Sequence, residues 1–171
     1  MQKLTIAEIL ADIRRNWPEQ DTPSATTVLA LIRLNDLVIA AYKETLAGFG
    51  LTQAGFEALV TLRGQAAPHR LTPTELYRSI LITSGGMTKV LKGLELDGLV
   101  TRPDNPADQR SRFVQLTPKG RALAETSMEA VSQQEQEMLE SALSPQQIEQ
   151  LSRVLLRTVN KLEGGEGGCE Q

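Results

Sequence analysis

The middle of this 171-residue chain holds a close succession of helix start and stop signals. Thr72–Glu75 combines an N-cap side chain, a proline at the first helical position and a capping-box glutamate, so a short helix is predicted there. A second helix is predicted from Thr83 or Ser84 to Asp97, with Gly98 as its left-handed stop. Two short helices in such close succession, ending at a glycine, fit only a small number of folds.

A turn-rich loop follows the second helix. Proline, aspartate and asparagine are concentrated in residues 103–109, between two short and partly alternating runs at 99–102 and 112–116. Turn residues between two strand-like runs predict a β-hairpin. The order helix, helix, glycine stop and hairpin suits a lobe that lays a helix in a DNA groove with the hairpin, or wing, beside it.

Helical signals also precede this region. Thr5 and Glu8 form a capping box for a helix that extends to Arg15. Residues 24–48 read as a long helix that is so apolar that we expect it to be buried on most sides. Thr52 caps a third helix.

Two more helices are predicted after the hairpin. The helix from 118 to about 142 carries only a sparse apolar stripe, whereas apolar residues recur at helical spacing after Ser144. A lone helix with so thin a stripe needs a partner, which predicts an intertwined homodimer. The fold class is therefore mainly α with a small β-hairpin wing, comprising a winged helix-turn-helix lobe and a helical dimerisation lobe. The boundaries are 1–23 for an extra N-terminal helix and loop, 24–51 and 118–163 for the dimerisation region, 52–117 for the winged helix-turn-helix domain, and 164–171 for a disordered tail.

Composition excludes several kinds of site. The chain has one histidine, His69, and one cysteine, Cys169, so a disulfide framework, a Cys/His metal set and a histidine-based catalytic triad are all excluded. We therefore expect no metal, no cofactor and no enzymatic activity. No segment reads as long and apolar enough to span a membrane, and the first residues are not signal-like. These features predict a cytoplasmic protein with no membrane partner.

Charge is distributed unevenly along the chain. The net charge is −3, yet the segment 68–121 holds nine Lys or Arg against five Asp or Glu. That segment therefore carries +4 and the remainder −7. A basic middle in an acidic chain is typical of a DNA-reading lobe on a scaffold that does not bind DNA, although ordinary fluctuation of charge gives the same pattern.

Several stretches carry a resemblance to a known family. Asp108–Ser111, followed by Leu116–Gly120, resembles the wing signature of the MarR family of winged-helix transcription regulators. Leu71–Leu76 and Gly98–Val100 match the same family, and the resemblance extends over roughly 27–162. It implies a homodimeric repressor that binds an inverted repeat in double-stranded DNA, because two-fold protein symmetry maps onto two-fold operator symmetry.

The resemblance also implies DNA contacts on the second helix of the pair. That helix would be the recognition helix, and its N-terminus favours a phosphate through free N–H groups and the helix dipole. For Lys89 and Lys92 the alternative is a solvated helix face. The side chains placed near bases or phosphates are Thr83, Ser84, Thr88, Lys89 and Lys92.

On the wing, the resemblance implies that Arg110, together with Arg112, enters the flanking minor groove. Narrow A·T tracts concentrate negative potential there. Asp108 would orient Arg110 through a charge-assisted hydrogen bond. The alternative is an Asp108–Arg110 ion pair that only stabilises the wing.

Members of this family are commonly released from DNA by a small anionic or aromatic ligand, and the extra N-terminal helix resembles the urate-responsive branch. That branch uses a tryptophan from the N-terminal helix, an acid on the helix before the helix-turn-helix, and an arginine before the recognition helix. The corresponding residues are Trp17, Glu57 and Arg78, which implies urate or an aromatic carboxylate as effector. The acid is Glu rather than Asp, however, and the aromatic position falls nearer Ile13. Alternatively, Arg78 pairs with Glu75 or Glu57 or contacts a phosphate, Trp17 covers an apolar seam, and Glu57 is structural.

Two other classes of protein compete with a DNA-binding regulator. A winged helix can serve as a protein-interaction module that binds no DNA. An enzyme, or the dimerisation half of one, would need a Rossmann-like segment, a metal cluster or a nucleophile–base pair, and the sequence has none of these. Residues 84–89 lack the spacing of a phosphate-binding P-loop and follow a predicted helix rather than a strand.

Overall fold

Side-chain caps start most of the helices, as the sequence predicts. Complete capping boxes are present at Thr5, Thr72 and Ser144, and the hydroxyl of Thr52 accepts the N–H of Gly55. At Thr72 the box is closed by its own backbone N–H, which donates to Glu75 Oε2 at 2.8 Å. Each cap satisfies N–H groups that have no partner within the helix.

The computed structural model of the chain describes residues 3–80, 86–108 and 110–164. Contacts divide the chain into two units, 1–128 and 129–171. Most of the described residues are helical, which confirms the predicted fold class. The helices are α1 (Ile6–Asn16), α2 (Pro23–Ala47), α3 (Gln53–Arg63), α4 (Pro73–Ser79), α5 (Met87–Leu96), α6 (Pro118–Glu140) and α7 (Pro145–Leu162).

The second helix of the central pair, α5, begins later than predicted. Its N-cap is Gly86, which has a φ of 123°. This angle is incompatible with a helix and is strained for any residue with a Cβ, so the regular helix starts only at Met87. The predicted end is confirmed, because Gly98 adopts a φ of 68° and the N–H of Leu99 reaches the carbonyl of Leu94 at 2.9 Å. This pair of features is a Schellman motif.

The wing is one part of a three-stranded antiparallel sheet. The strands are β1 (Arg70–Leu71), β2 (Val100–Thr101) and β3 (Val114–Leu116), in the order β1-β3-β2. The hairpin β2–β3 is confirmed with shorter strands than predicted, and an isolated bridge between Asp104 and Arg112 continues it toward the tip. Strand β1, which pairs with the far edge of β3, was not predicted from the sequence.

One apolar cluster holds these elements together. Helices α3, α4 and α5 and the sheet all contribute aliphatic side chains, and each fully buried leucine contributes about 1.5–3 kcal/mol relative to an exposed one. Because α5 is packed on one face only, its other face is left to solvent. The cluster consists of Ala58, Leu59, Leu62, Leu76, Ile80, Met87, Leu91, Leu94, Leu99, Val100, Val114, Leu116 and Ala124.

Helix α2 is less buried than the sequence predicts. Only Leu46 is buried along its 25 residues, whereas Val28, Ile32 and Leu37 are 55–57% exposed. Burial on most sides is therefore not achieved within one chain. By length and composition α2 is apolar enough to cross a membrane, so the expectation that no segment has that property was wrong. A long exposed apolar face is equally typical of a protein–protein interface.

Thr117 joins the end of α5 to the start of α6. Its hydroxyl donates to the carbonyl oxygen of Gly98 at 2.8 Å and accepts the backbone N–H of Gly120 at 3.0 Å. Its own backbone N–H donates to the carbonyl oxygen of Leu99 at 3.1 Å. A single threonine thus caps α6 and fixes the turn that ends α5.

Lys119 strengthens the same junction. Its Nζ donates to the carbonyl oxygen of Asp97 at 2.8 Å. A cation at this position also interacts favourably with the C-terminal end of the α5 dipole. We call this set of contacts between residues 97–99 and 117–120 the α5–α6 clasp.

Gly120 lies directly against the backbone of Leu99, so we expect Gly120→Ala to destabilise the fold. A Cβ at this position would overlap the carbonyl oxygen of Leu99 and lie 2.8 Å from its carbonyl carbon. The expected loss in free energy of unfolding is about 1–3 kcal/mol, the usual cost of overpacking, measured by urea unfolding.

Gly93→Ala is the matched control for this substitution. Gly93 lies inside α5, and nothing is within 4 Å of a Cβ built there. Alanine is the better helix former, so this variant should gain about 0.5–1 kcal/mol. Equal changes in the two variants would contradict the assigned role of Gly120.

Candidate DNA interface

Helix α5 presents one polar face and one apolar face. Met87, Leu91 and Leu94 are buried at helical spacing. This packing locks the rotation of the helix about its own axis, because any other rotation would expose these side chains. The exposed side chains that the sequence assigned to DNA are Thr88, Lys89 and Lys92.

Among the described residues, no side chain caps the beginning of α5, and its N-cap Gly86 is exposed. Gly86 has no side chain to accept the N–H groups of the first turn. These groups have no side-chain partner in the part of the chain that the structure describes, and the helix dipole favours an anion at this end. Thr83 and Ser84, assigned to the same end of the helix by the sequence, lie outside the described residues.

The tip of the wing is shaped by Asp108. Its Oδ1 accepts the backbone N–H of Arg110 at 3.0 Å, and its carbonyl oxygen accepts the backbone N–H of Ser111 at 3.0 Å. The sequence predicted a bond that orients the Arg110 side chain, but the observed bond goes to the main-chain N–H of Arg110, and no ion pair between the two residues is present in the described part of the chain. Asp108 therefore holds the loop, and Arg110 is exposed beside it.

Arg112 lies at the base of the wing loop and has a carboxylate partner. Its Nε is 3.3 Å from Asp104 Oδ1, and the two residues also form the isolated bridge. Both side chains are largely exposed, at 67% and 87%. An ion pair this exposed contributes little to stability, so Arg112 can exchange its partner at low cost.

A groove of about 300 Å³ lies between α4, α5 and the wing. It contains Tyr77 and Arg102, for which the sequence predicted no functional role. Tyr77 gave no signal beyond being an aromatic residue on a short helix, and Arg102 entered only the count of basic residues. The groove is lined by Pro73, Tyr77, Thr88, Leu91, Lys92, Glu95, Arg102 and Arg112.

Nothing in the described part of the chain joins the three residues assigned to an effector. Trp17 is the C-cap of α1 and is 61% exposed, so it does not cover an apolar seam within the chain. Arg78 is exposed on α4 and forms no ion pair among the described residues, while Glu75 is bonded to Thr72 instead. Glu57 is half-buried on α3.

A helix pair whose second member exposes basic side chains, followed by an antiparallel wing, defines a winged helix-turn-helix protein. The MarR family profile matches residues 49–111. The multiple antibiotic resistance protein MarR of Escherichia coli (strain K12) is 30% identical over 116 residues, which are 68% of this chain and 78% of that protein. The HTH-type transcriptional regulator PecS of Dickeya dadantii (strain 3937) is 28% identical over 158 residues, which are 92% of this chain and 94% of that protein.

The chain belongs to the MarR family of winged helix-turn-helix transcription regulators. Members of this family are not enzymes, and neither is this protein. Among solved structures, that of BpsR from Bordetella bronchiseptica is similar, with a TM-score of 0.66 and 26% identity. The similarity covers 77% of this chain and 91% of BpsR, whose DNA binding is regulated by 6-hydroxynicotinic acid.

Burial raises the pKa of the Glu57 carboxyl above its usual value, which makes stability depend on pH. The pKa of Glu57 is higher in the folded protein than in the unfolded chain. Between these two pKa values the native state holds a proton that the unfolded chain has lost, so the free energy of unfolding falls as the pH rises through this range. We expect Glu57→Gln to be more stable than the wild type at pH 7. The difference should shrink below the ordinary pKa of 4.5, as urea unfolding at several pH values would show.

Glu149→Gln is the control for this pH dependence. Glu149 is exposed on α7 and pairs with Arg153 at 3.3 Å, so its removal should change stability by less than about 0.5 kcal/mol. A Glu57→Gln variant that is less stable than the wild type at pH 7 would show that the charged carboxylate has a stabilising partner.

Proposed function

We propose that this protein is a homodimeric repressor that binds an inverted-repeat operator and is released by a small anionic or aromatic ligand. The observation that carries the proposal is the orientation of α5, whose apolar face is locked into the core while Thr88, Lys89 and Lys92 face solvent. A helix held this way can enter a major groove without rearrangement, and lysines on its outer face neutralise phosphates or reach base edges. Thr83 and Ser84 complete this proposed contact set.

The wing would lie in the adjacent minor groove. Arg110 is exposed at its tip, and the bond from Asp108 to the main chain leaves the guanidinium of Arg110 available for the groove. Arg112 would exchange Asp104 for the DNA backbone, since their exposed ion pair is weak. A narrow A·T-rich minor groove attracts such cations most strongly.

The proposed dimer uses the apolar faces that one chain leaves exposed. In α2 these include Val28 and Ile32, and in α7 they include Leu156 and Leu162, which is 82% exposed. Burying such side chains against a second copy is favourable by about 25 cal/mol per Å². Residues 24–51 and 118–163 would form this dimerisation region, with 1–23 as an additional helix. If α2 packs against a second copy of the chain, its apolar face is covered without a membrane. A protein that acts on DNA would be located in the cytoplasm.

The proposed effector is a small planar acid, by analogy with the response of BpsR to 6-hydroxynicotinic acid. Arg78 supports this, because an exposed guanidinium without an ion pair in the described part of the chain can bind a carboxylate with two hydrogen bonds. Glu57 and Trp17 are the other proposed ligand residues. The raised pKa of Glu57 suits a carboxyl that donates a hydrogen bond to a ligand when protonated.

The DNA-binding proposal predicts that Lys89→Ala and Arg110→Ala weaken binding to duplexes selected by the wild type from a random pool. Loss of a base contact by Lys89 should cost about 1–3 kcal/mol in binding free energy on the selected sequence, and less on unrelated DNA. Binding would be measured by fluorescence anisotropy at fixed salt.

Arg15→Ala, on α1 and outside the proposed dimerisation region, is the charge-matched control and should bind as the wild type does. A duplex with only one half of the selected repeat should bind more weakly than the full repeat if the protein is a dimer. Wild-type protein that shows no salt-dependent binding to any duplex, yet forms a stable complex with another protein, would instead support a protein-interaction module.

The effector proposal predicts that Arg78→Ala removes the response to ligand without removing DNA binding. 6-Hydroxynicotinic acid and urate would be titrated into the protein–DNA complex, and both should release wild-type protein more effectively than the variant. Arg15→Ala is the control, since Arg15 is an exposed arginine on α1 paired with Asp12 at 3.6 Å. An unchanged response in the Arg78 variant would reject this residue as the anion ligand.

A further inference from the structure

The contacts proposed so far leave Tyr77 and Arg102, which line the groove between α4, α5 and the wing, without a role. The walls of this groove come from three separate segments, represented by Tyr77 on α4, Lys92 on α5 and Arg102 at the end of β2. It is a cleft of about 300 Å³ on the same side of α5 as Thr88 and Lys92. Any ligand on the outer face of α5 that also reaches the wing must pass over this cleft.

The groove is strongly basic. Lys92, Arg102 and Arg112 line it, and Glu95 is the one acidic side chain in its described lining. Arg112 has its carboxylate partner Asp104, but no ion pair to Arg102 or Lys92 is present among the described residues. Arg102 is partly buried, whereas Arg110 and Arg112 are exposed.

The geometry of duplex DNA supplies an anion at this point. The major groove and the adjacent minor groove are separated by one sugar-phosphate strand, which carries a charge at every nucleotide. If α5 occupies the first groove and the wing the second, that strand has to cross the gap between them. The gap is the basic groove.

We propose that this groove binds a backbone phosphate of the operator. Arg102 would be the principal ligand of the phosphate, and the Tyr77 hydroxyl would be a second hydrogen-bond donor. A guanidinium matches a phosphate with two parallel hydrogen bonds, and a phenol adds a neutral donor. This inference rests on the proposed function, since it needs α5 and the wing to lie in neighbouring grooves. It assigns Arg102 to positioning the protein on the duplex rather than to base reading.

A phosphate contact has a signature that a base contact lacks. Each phosphate neutralised by the protein contributes about 0.9 to the magnitude of the slope of log K against log salt. Arg102→Gln should therefore lower that slope by about 0.9 per protomer, or about 1.8 for a two-fold dimer. At 0.1 M salt the variant should bind on the order of tenfold more weakly per protomer, and equally so on selected and unrelated duplexes.

The experiment measures anisotropy binding curves at several salt concentrations for the wild type, Arg102→Gln and Arg102→Lys, with urea unfolding to confirm that each variant is folded. Arg102→Lys keeps the charge and should keep the slope. Tyr77→Phe should weaken binding by a few-fold with the slope unchanged, because it removes a neutral donor. Arg15→Gln on α1, where Arg15 pairs with Asp12 at 3.6 Å, controls for the loss of one positive charge and should leave both affinity and slope unchanged.

Three results would overturn the inference. The first is a folded Arg102→Gln variant whose slope equals that of the wild type. The second is a loss of affinity confined to the selected sequence, which would make Arg102 a base reader. The third is an unchanged slope with loss of release by 6-hydroxynicotinic acid, which would assign the groove to an effector. Wild-type protein without any salt-dependent binding would instead reject the proposed function itself, so the two failures are distinguishable.

Discussion

The α5–α6 clasp is the contact on which the geometry of the DNA-reading lobe depends. Thr117 bonds to the carbonyl oxygens of Gly98 and Leu99, so the residue at which α5 ends is also the residue at which α6 is anchored. The next residues along the chain pair Val100 with Leu116 and thereby set the register of the wing. Helix, wing and α6 are thus positioned by one set of hydrogen bonds, and a one-residue slip would turn the wing side chains to the opposite face.

Features encoded within four or five residues were predictable from the sequence. The capping box of Thr72 and Glu75 and the αL turn at Gly98 need only local chain geometry, and both are present. The start of α5 was not predictable in this way, since Thr83 and Ser84 are equally good N-cap types and nothing local requires the positive φ of Gly86. Strand β1 was missed because two residues carry no alternation, and only pairing with β3 defines it.

In the candidate site too, local features could be predicted from the sequence and features that depend on packing could not. The outward position of Lys89 and Lys92 follows from helical periodicity and agrees with the structure. The groove around Tyr77 and Arg102 could not be predicted, because packing brings its three wall segments together from separate parts of the sequence. The exposure of α2 is a further limit, because hydropathy alone does not tell whether apolar residues are buried within one chain.

The bond from Asp108 to the main chain of Arg110 has a consequence for how such a regulator can evolve. The loop requires an oxygen acceptor at residue 108, and it does not require a negative charge there. An asparagine supplies the same oxygen in the same kind of turn. A single exchange would therefore change the charge of the wing tip by one unit while leaving its shape intact. Under the proposed function, general attraction to DNA can then be adjusted at the wing, independently of the bases that α5 would select.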